Sequence, residues 1–266
     1  MPEVVTAGLR TVFEERGAGP AMLLVHGVGL RKEVWAPQVD AFAAGRRVIV
    51  YDTLGHGESD RPPASARLVD YVTQLEGLVD ALDIERAVVV GHSMGAAIAT
   101  AFAIENPARV TALAALCPVY GRSAEARSAA RARARTLERD GPLATLDATL
   151  ARWFGDADLE PEMRRKAETL GGWLASADAA GYARAYRVFV GSDEALAGRL
   201  GALRAPALFL AAEHDANSTP QMSERMAREA PRGVAAVVPH ARHMVPFVSP
   251  EPVNARLGAF LEEHDT

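Results

Sequence analysis

The chain has 266 residues, 49% hydrophobic and 24% charged, a balance that excludes disordered, collagen-like and low-complexity classes. A formal charge of −5 leaves no basic excess for phosphates, so nucleic acid is not an expected partner, and a single cysteine (Cys117) excludes an intrachain disulfide. No apolar run is long enough for a membrane and no secretory leader opens the chain, so the expected setting is the cytoplasm, as a monomer or homodimer.

The first elements are short. Glu3–Thr6 and Leu9–Phe13, joined around Gly8, read as an antiparallel hairpin. Ala21–Val25 and Val48–Tyr51 are continuous apolar runs, the pattern of strands buried on both faces of a parallel sheet. Val69–Leu82 has helical spacing. Ala87–Val90 is another buried strand, Met94–Glu105 a helix stopped before Pro107, and Val110–Leu116 a further strand. This alternation predicts a doubly wound α/β fold with a mostly parallel sheet.

After Pro118 the character changes. Ser123–Asp140, Leu143–Phe154, Pro161–Ala175 and Ala179–Val190 all read as helices, and their apolar positions need something to cover. Arg133, Arg135 and Arg139 read as a solvated helix face. The β/α alternation resumes with Ala207–Ala211, a helix near Pro220–Glu229, the strand Val234–Val238 and a closing helix from Pro252 to about Glu262.

The sharpest feature is the G-x-S-x-G pentapeptide from Gly91 to Gly95. It follows a buried strand and opens a helix, the context in which a serine hydroxyl stands exposed at the C-terminal edge of a sheet. The helix start supplies unpaired amides and a positive dipole end beside that serine, Ser93. Upstream, His26-Gly27-Val28-Gly29 closes a strand, so an oxyanion hole is expected from the Val28 and Met94 amides.

A serine needs a base to take its proton and an acid to orient that base. Seven histidines are available. His26 and His56 lie in turns, His92 points away across the elbow, and His264 is in the tail. His240 and His243 share the loop after the last strand, and His243 is favoured because it leads directly into the closing segment. Their i, i+3 spacing lacks a third ligand, so no metal is expected. Glu213, Asp215 and Asp52 are the candidate acids. Asp215 is preferred by the chain order Ser, Asp, His, while Asp52 is expected to brace the Thr53–Ser59 turn.

Together these residues resemble the α/β-hydrolase superfamily over nearly the whole chain. Asp52, Gly55, Gly57 and Ser59 are similar to its D-x-x-G-x-G-x-S segment, and the stretch from His243 to Leu261 is similar to its terminal histidine-to-helix stretch. The resemblance implies an eight-stranded sheet, a core formed by residues 1–119 and 202–266, and a helical cap, 120–201, inserted after the sixth strand. Within the superfamily the cap resembles that of 3-oxoadipate enol-lactonases, in Ala151–Phe154 and Trp173–Tyr182; the His26–Gly29 loop departs from their pattern. Aspartate-elbow enzymes, the haloalkane dehalogenases and epoxide hydrolases, do not fit Ser93.

The expected activity is hydrolysis of a small carboxylic ester or lactone by Ser93, His243 and Asp215, without cofactor or metal. Hydrolysis of a carbon–carbon bond in a ring-cleavage product and non-catalytic ligand binding are the alternatives; perhydrolysis by the same three residues is a third. Trp35, Arg122, Arg152, Trp153 and Phe154 are the candidate substrate contacts, and an arginine among them suits a substrate carboxylate.

Overall fold

The computed structural model describes residues 1–155 and 159–264. The apolar runs become an eight-stranded sheet: β1 (Glu3–Thr6), β2 (Leu9–Arg16), β3 (Ala21–Val25), β4 (Arg47–Tyr51), β5 (Ala87–His92), β6 (Val110–Leu116), β7 (Ala207–Ala212) and β8 (Gly233–Val238). The spatial order is β1-β2-β4-β3-β5-β6-β7-β8. Only the β1–β2 and β2–β4 pairings are antiparallel; the rest are parallel.

Helices cover both faces, as a parallel sheet requires. They are α1 (Ala36–Phe42), α2 (Leu68–Ala81) and α3 (Met94–Glu105) in the first half, then α4 (Ala124–Asp140), α5 (Leu146–Phe154), α6 (Pro161–Ala175) and α7 (Ala179–Leu196) between β6 and β7, and α8 (Pro220–Glu229), α9 (Val245–Val248) and α10 (Pro250–His264) at the end. All residues of β3, β5 and β7 are buried. Each large aliphatic side chain so buried contributes about 1.5–3 kcal/mol relative to exposure. Among the described residues no helix is long and apolar enough to cross a membrane.

The α4–α7 segment is pinned to the sheet layer along α7. Tyr182, Tyr186 and Phe189 are buried, and the helix packs on α3 and α2. At its start Arg61 makes a two-armed pair with Asp178 at 2.7 Å, and Arg184 donates to the Pro62 carbonyl at 2.7 Å.

Several elements differ from expectation. The helix expected over Leu143–Phe154 starts one residue earlier, with Pro142 in the first position of a 3-10 turn (Pro142–Thr145) that runs into α5. α7 continues six residues past Val190 to Leu196, where Asp193 gains a buried partner in Arg122. Two short helices, α1 and α9, carry too few turns to show a periodic pattern; both start with proline in the first turn.

Candidate active site

β5 ends at His92 and α3 begins at Met94, which leaves Ser93 alone in the turn, with φ 55° and ψ −112°. That left-handed backbone is costly for a residue with a Cβ and persists only where the surroundings hold it. Here the Ser93 amide donates to the Leu116 carbonyl at 2.9 Å. The flanking glycines let the turn close: a Cβ on Gly91 would lie 2.1 Å from the Gly95 carbonyl oxygen, and one on Gly95 2.0 Å from that of Val25.

Strand register then decides which loops meet the serine. Val25 pairs with Gly91, so the 26–29 loop lies beside the turn. Leu116 pairs with Leu210 and Ala212 with Val238, which brings the loops after β7 and β8 together on the other side. Those loops are tied by the His214 amide, which donates to the Ala241 carbonyl at 2.9 Å.

The result is a continuous line. His243 Nε2 lies 3.1 Å from Ser93 Oγ, and His243 Nδ1 lies 2.6 Å from Asp215 Oδ2. The other Asp215 oxygen accepts the amides of Asn217 at 2.9 Å and Ser218 at 3.1 Å. All three side chains are buried. Burial alone would raise the Asp215 carboxyl, but the adjacent His243 and the two amides bring it below its ordinary value. An ionised Asp215 accepts only, so Nδ1 carries the imidazole proton and Nε2 is left as an acceptor facing the hydroxyl. Val28 borders the same space. Met94 is the first residue of α3, and its amide is one of those a helix leaves without an internal acceptor.

The rejected candidates occupy other places. Glu213 and His240 meet on the surface, where the His240 amide donates to the Glu213 carboxylate at 2.7 Å and the imidazole is 89% exposed. Asp52 accepts the amides of Lys32 at 2.9 Å and Glu58 at 3.0 Å, bracing its turn away from Ser93. His92 donates from Nε2 to the His243 carbonyl at 2.8 Å and so anchors the loop that carries His243.

His26 and His56 form a buried relay under the 26–29 loop. His26 Nε2 accepts the Thr53 amide at 3.0 Å and His56 Nε2 accepts the Gly29 amide at 2.9 Å, while each Nδ1 faces a carbonyl. Neither ring can gain a proton without losing an amide. Burial lowers His26 to about 4, and burial with the neighbouring His26 lowers His56 to about 3; burial with the neighbouring His243 takes His92 to about 3. The unfolded chain therefore binds protons that the native state refuses. Their contribution is fully present above about pH 6.5 and is lost as pH falls toward these folded values, with a slope approaching about 4 kcal/mol per pH unit for the three together. The melting temperature is expected to fall steeply between pH 6.5 and pH 4.5; a flat profile over that interval would contradict this account of the relay.

Above Ser93 and His243 lies a narrow cavity. Arg122, Arg152 and Trp153 line it, as expected from the sequence. Two other candidates do not. Trp35 is wholly buried in the core beneath the 26–35 segment. Phe154 borders a neighbouring space with Met163 and Arg242, because it lies about 200° around α5 from Arg152, with Trp153 between them bordering both spaces. Trp153 stacks on His243, with ring centroids 6.3 Å apart at an interplanar angle of 25°. The cavity residues not anticipated include Thr149 of α5, Tyr182, Tyr186 and Phe189 of α7, and Arg133, which points inward from α4 rather than joining Arg135 and Arg139 in solvent. The small-residue pattern Ala130, Ala134, Leu137 marks the buried side of α4, and Arg133 borders it.

A family model described as the alpha/beta hydrolase fold matches residues 20–250. The chain is 37% identical over 250 residues, 94% of its length and 93% of the relative's, to an (E)-2-((N-methylformamido)methylene)succinate hydrolase of Acinetobacter baylyi. Its structure is similar to a thermophilic esterase from Thermogutta terrifontis with malate bound, with a TM-score of 0.87, 30% identity and 98% of each chain covered. It is also similar to the enol-lactonase from Burkholderia xenovorans LB400, with a TM-score of 0.89, 26% identity, and 98% of this chain and 100% of that one covered. The serine on its strand-to-helix turn, the sheet order that gathers the loops around it, and the match over residues 20–250 all lead to one conclusion: this chain belongs to the α/β-hydrolase fold family.

Proposed function

We propose that the chain is a serine hydrolase that cleaves a small carboxylic ester or lactone through an acyl-enzyme. The observation that carries this reading is His243 held between Asp215 and Ser93, at 2.6 Å and 3.1 Å. In this reading His243 takes the Ser93 proton as Oγ attacks the carbonyl carbon, and Asp215 stabilises the imidazolium that forms. The Val28 and Met94 amides receive the tetrahedral oxyanion, each contributing about 2.7–4 kcal/mol to lowering the barrier. His243 then hands its proton to the leaving alkoxide, and later activates the water that releases Ser93.

Residues 120–201 act as a cap over the core of 1–119 and 202–266, of which 156–158 and 265–266 lie outside the described residues. α4, α5 and α7 supply most of the wall opposite Ser93, which supports the assignment of specificity to the cap. The esterase and enol-lactonase neighbours support an ester or lactone bond. The relative named for a succinate and the neighbour holding malate support a small acidic substrate.

The test is a panel at pH 8: p-nitrophenyl acetate, a five-membered lactone, and a 2-hydroxy-6-oxo-dienoate for carbon–carbon cleavage. The ester and lactone are expected to turn over faster than the dienoate. Turnover of the dienoate with no ester or lactone hydrolysis would overturn the reading.

A further inference from the structure

The Ser93 cavity is walled by three arginines, Arg122, Arg133 and Arg152, and by no aspartate or glutamate among the described residues. The three guanidiniums are not equivalent. Arg122 is matched: its Nη1 donates to Asp193 Oδ1 at 2.9 Å and to the Val190 carbonyl at 3.2 Å, and its plane lies 4.7 Å from the Phe189 ring centroid. Its charge is balanced inside the protein and its position is locked.

Among the described residues Arg133 and Arg152 meet only neutral acceptors. Arg133 Nε donates to the Tyr186 hydroxyl at 3.1 Å, and Arg152 Nη2 donates to Thr149 Oγ1 at 2.8 Å. Neither pairs with a carboxylate among the described residues. Both are half-buried and close enough to repel: burial first, and then Arg133 beside it, lower the Arg152 guanidinium. Two uncompensated cations in a partly dry wall are expensive unless an anion enters. The N–H groups left over after these single bonds suit a carboxylate, which accepts from planar guanidinium forks with charge-assisted geometry. Tyr186 and Thr149 hold the two forks in place while leaving that charge unanswered.

We infer that Arg133 and Arg152 form a carboxylate-binding subsite, so that the substrate is a half-ester of a small dicarboxylic acid, or a lactone bearing a free carboxylate. The inference rests on the Ser93 reading above for the bond cleaved. The bound carboxylate is the end of the molecule that does not react, and its attachment sets the second carbonyl over Ser93. Binding energy from that remote group then serves orientation at the reacting carbon.

The experiment compares monomethyl succinate with its neutral analogue dimethyl succinate, and separately measures melting with added succinate against sodium chloride of equal ionic strength. Wild-type protein is expected to favour the charged ester by roughly 100-fold in kcat/KM and to melt higher in succinate. Arg152→Gln and Arg133→Gln are each expected to lower the charged-to-neutral ratio by about 10-fold or more. Arg152→Lys, which keeps the charge, retains part of the preference, and the exposed Arg139→Gln retains all of it. Wild-type protein that hydrolyses both esters equally and melts alike in succinate and chloride would overturn the subsite while leaving the hydrolase reading intact. Arginine-dependent stabilisation by succinate with no hydrolysis of any ester would uphold the subsite and remove the hydrolase reading.

Discussion

Replacing Ser93 with alanine is expected to lower kcat for a small p-nitrophenyl ester by on the order of a millionfold, the scale seen when a triad nucleophile is removed. The loss is specific to chemistry. Among the described residues Ser93 Oγ hydrogen-bonds only to His243 Nε2, and the strained backbone of the turn is held by the Leu116 carbonyl and by Gly91 and Gly95, none of which depends on the hydroxyl. The variant should therefore melt within ~4 °C of wild type, since it loses one buried hydrogen bond, worth about 1 kcal/mol, and keeps the contacts that hold the turn. Steady-state kinetics and a melting curve on the same preparations read both halves. An alanine variant that keeps its full rate would assign the activity to another residue.

Asp215→Asn is expected to lower kcat by about 10⁴-fold with the geometry nearly unchanged. The reason is the hydrogen-bond polarity around the side chain. Oδ1 accepts the Asn217 and Ser218 amides, so an asparagine at this position must point its carbonyl oxygen toward them. Its NH₂ group then faces His243 Nδ1 and donates to it. Nδ1 becomes an acceptor, the ring proton moves to Nε2, and the nitrogen facing Ser93 can no longer take a proton. The measurement is kcat for wild type and variant with the same ester, alongside an NMR assignment of the His243 tautomer. A variant with near-wild-type kcat would mean that Asp215 does not orient the base.

How far the sequence could be read depended on the range of the forces involved. Strand and helix identities in the sheet layers were legible because burial on both faces leaves continuous apolar runs, as in Ala21–Val25 and Val110–Leu116. The Ser93 turn was legible because its backbone demands glycine at two fixed spacings, which a sequence records directly. Asp215 is favoured in the sequence by the chain order Ser, Asp, His, and His243 over His240 by the closing helical segment that follows it. The cavity wall was harder. Arg133 and Arg135 differ by two positions on one helix, and only the packing of α4 against α7 turns the first inward and leaves the second in solvent. Trp35 stands six residues after Gly29 in sequence, yet the 3-10 turn Lys32–Trp35 drives it into the core. Tyr182 and Tyr186 sit on α7, which is distant in sequence from Ser93 and reaches it only by folding over α3. Side-chain direction within a helical insertion is a tertiary property, and no local pattern encodes it.

The central claim is that Ser93 is the nucleophile activated by His243. The most direct measurement is intact-mass and peptide analysis after exposure to a small alkyl fluorophosphonate, which forms a stable adduct only with an activated serine. The account predicts one phosphonyl group per chain, on the peptide containing Ser93, its rate of formation falling sharply in the Asp215→Asn protein and vanishing in the Ser93→Ala protein. Label on a different residue, or a wild-type chain that hydrolyses esters yet never labels at Ser93, would contradict it.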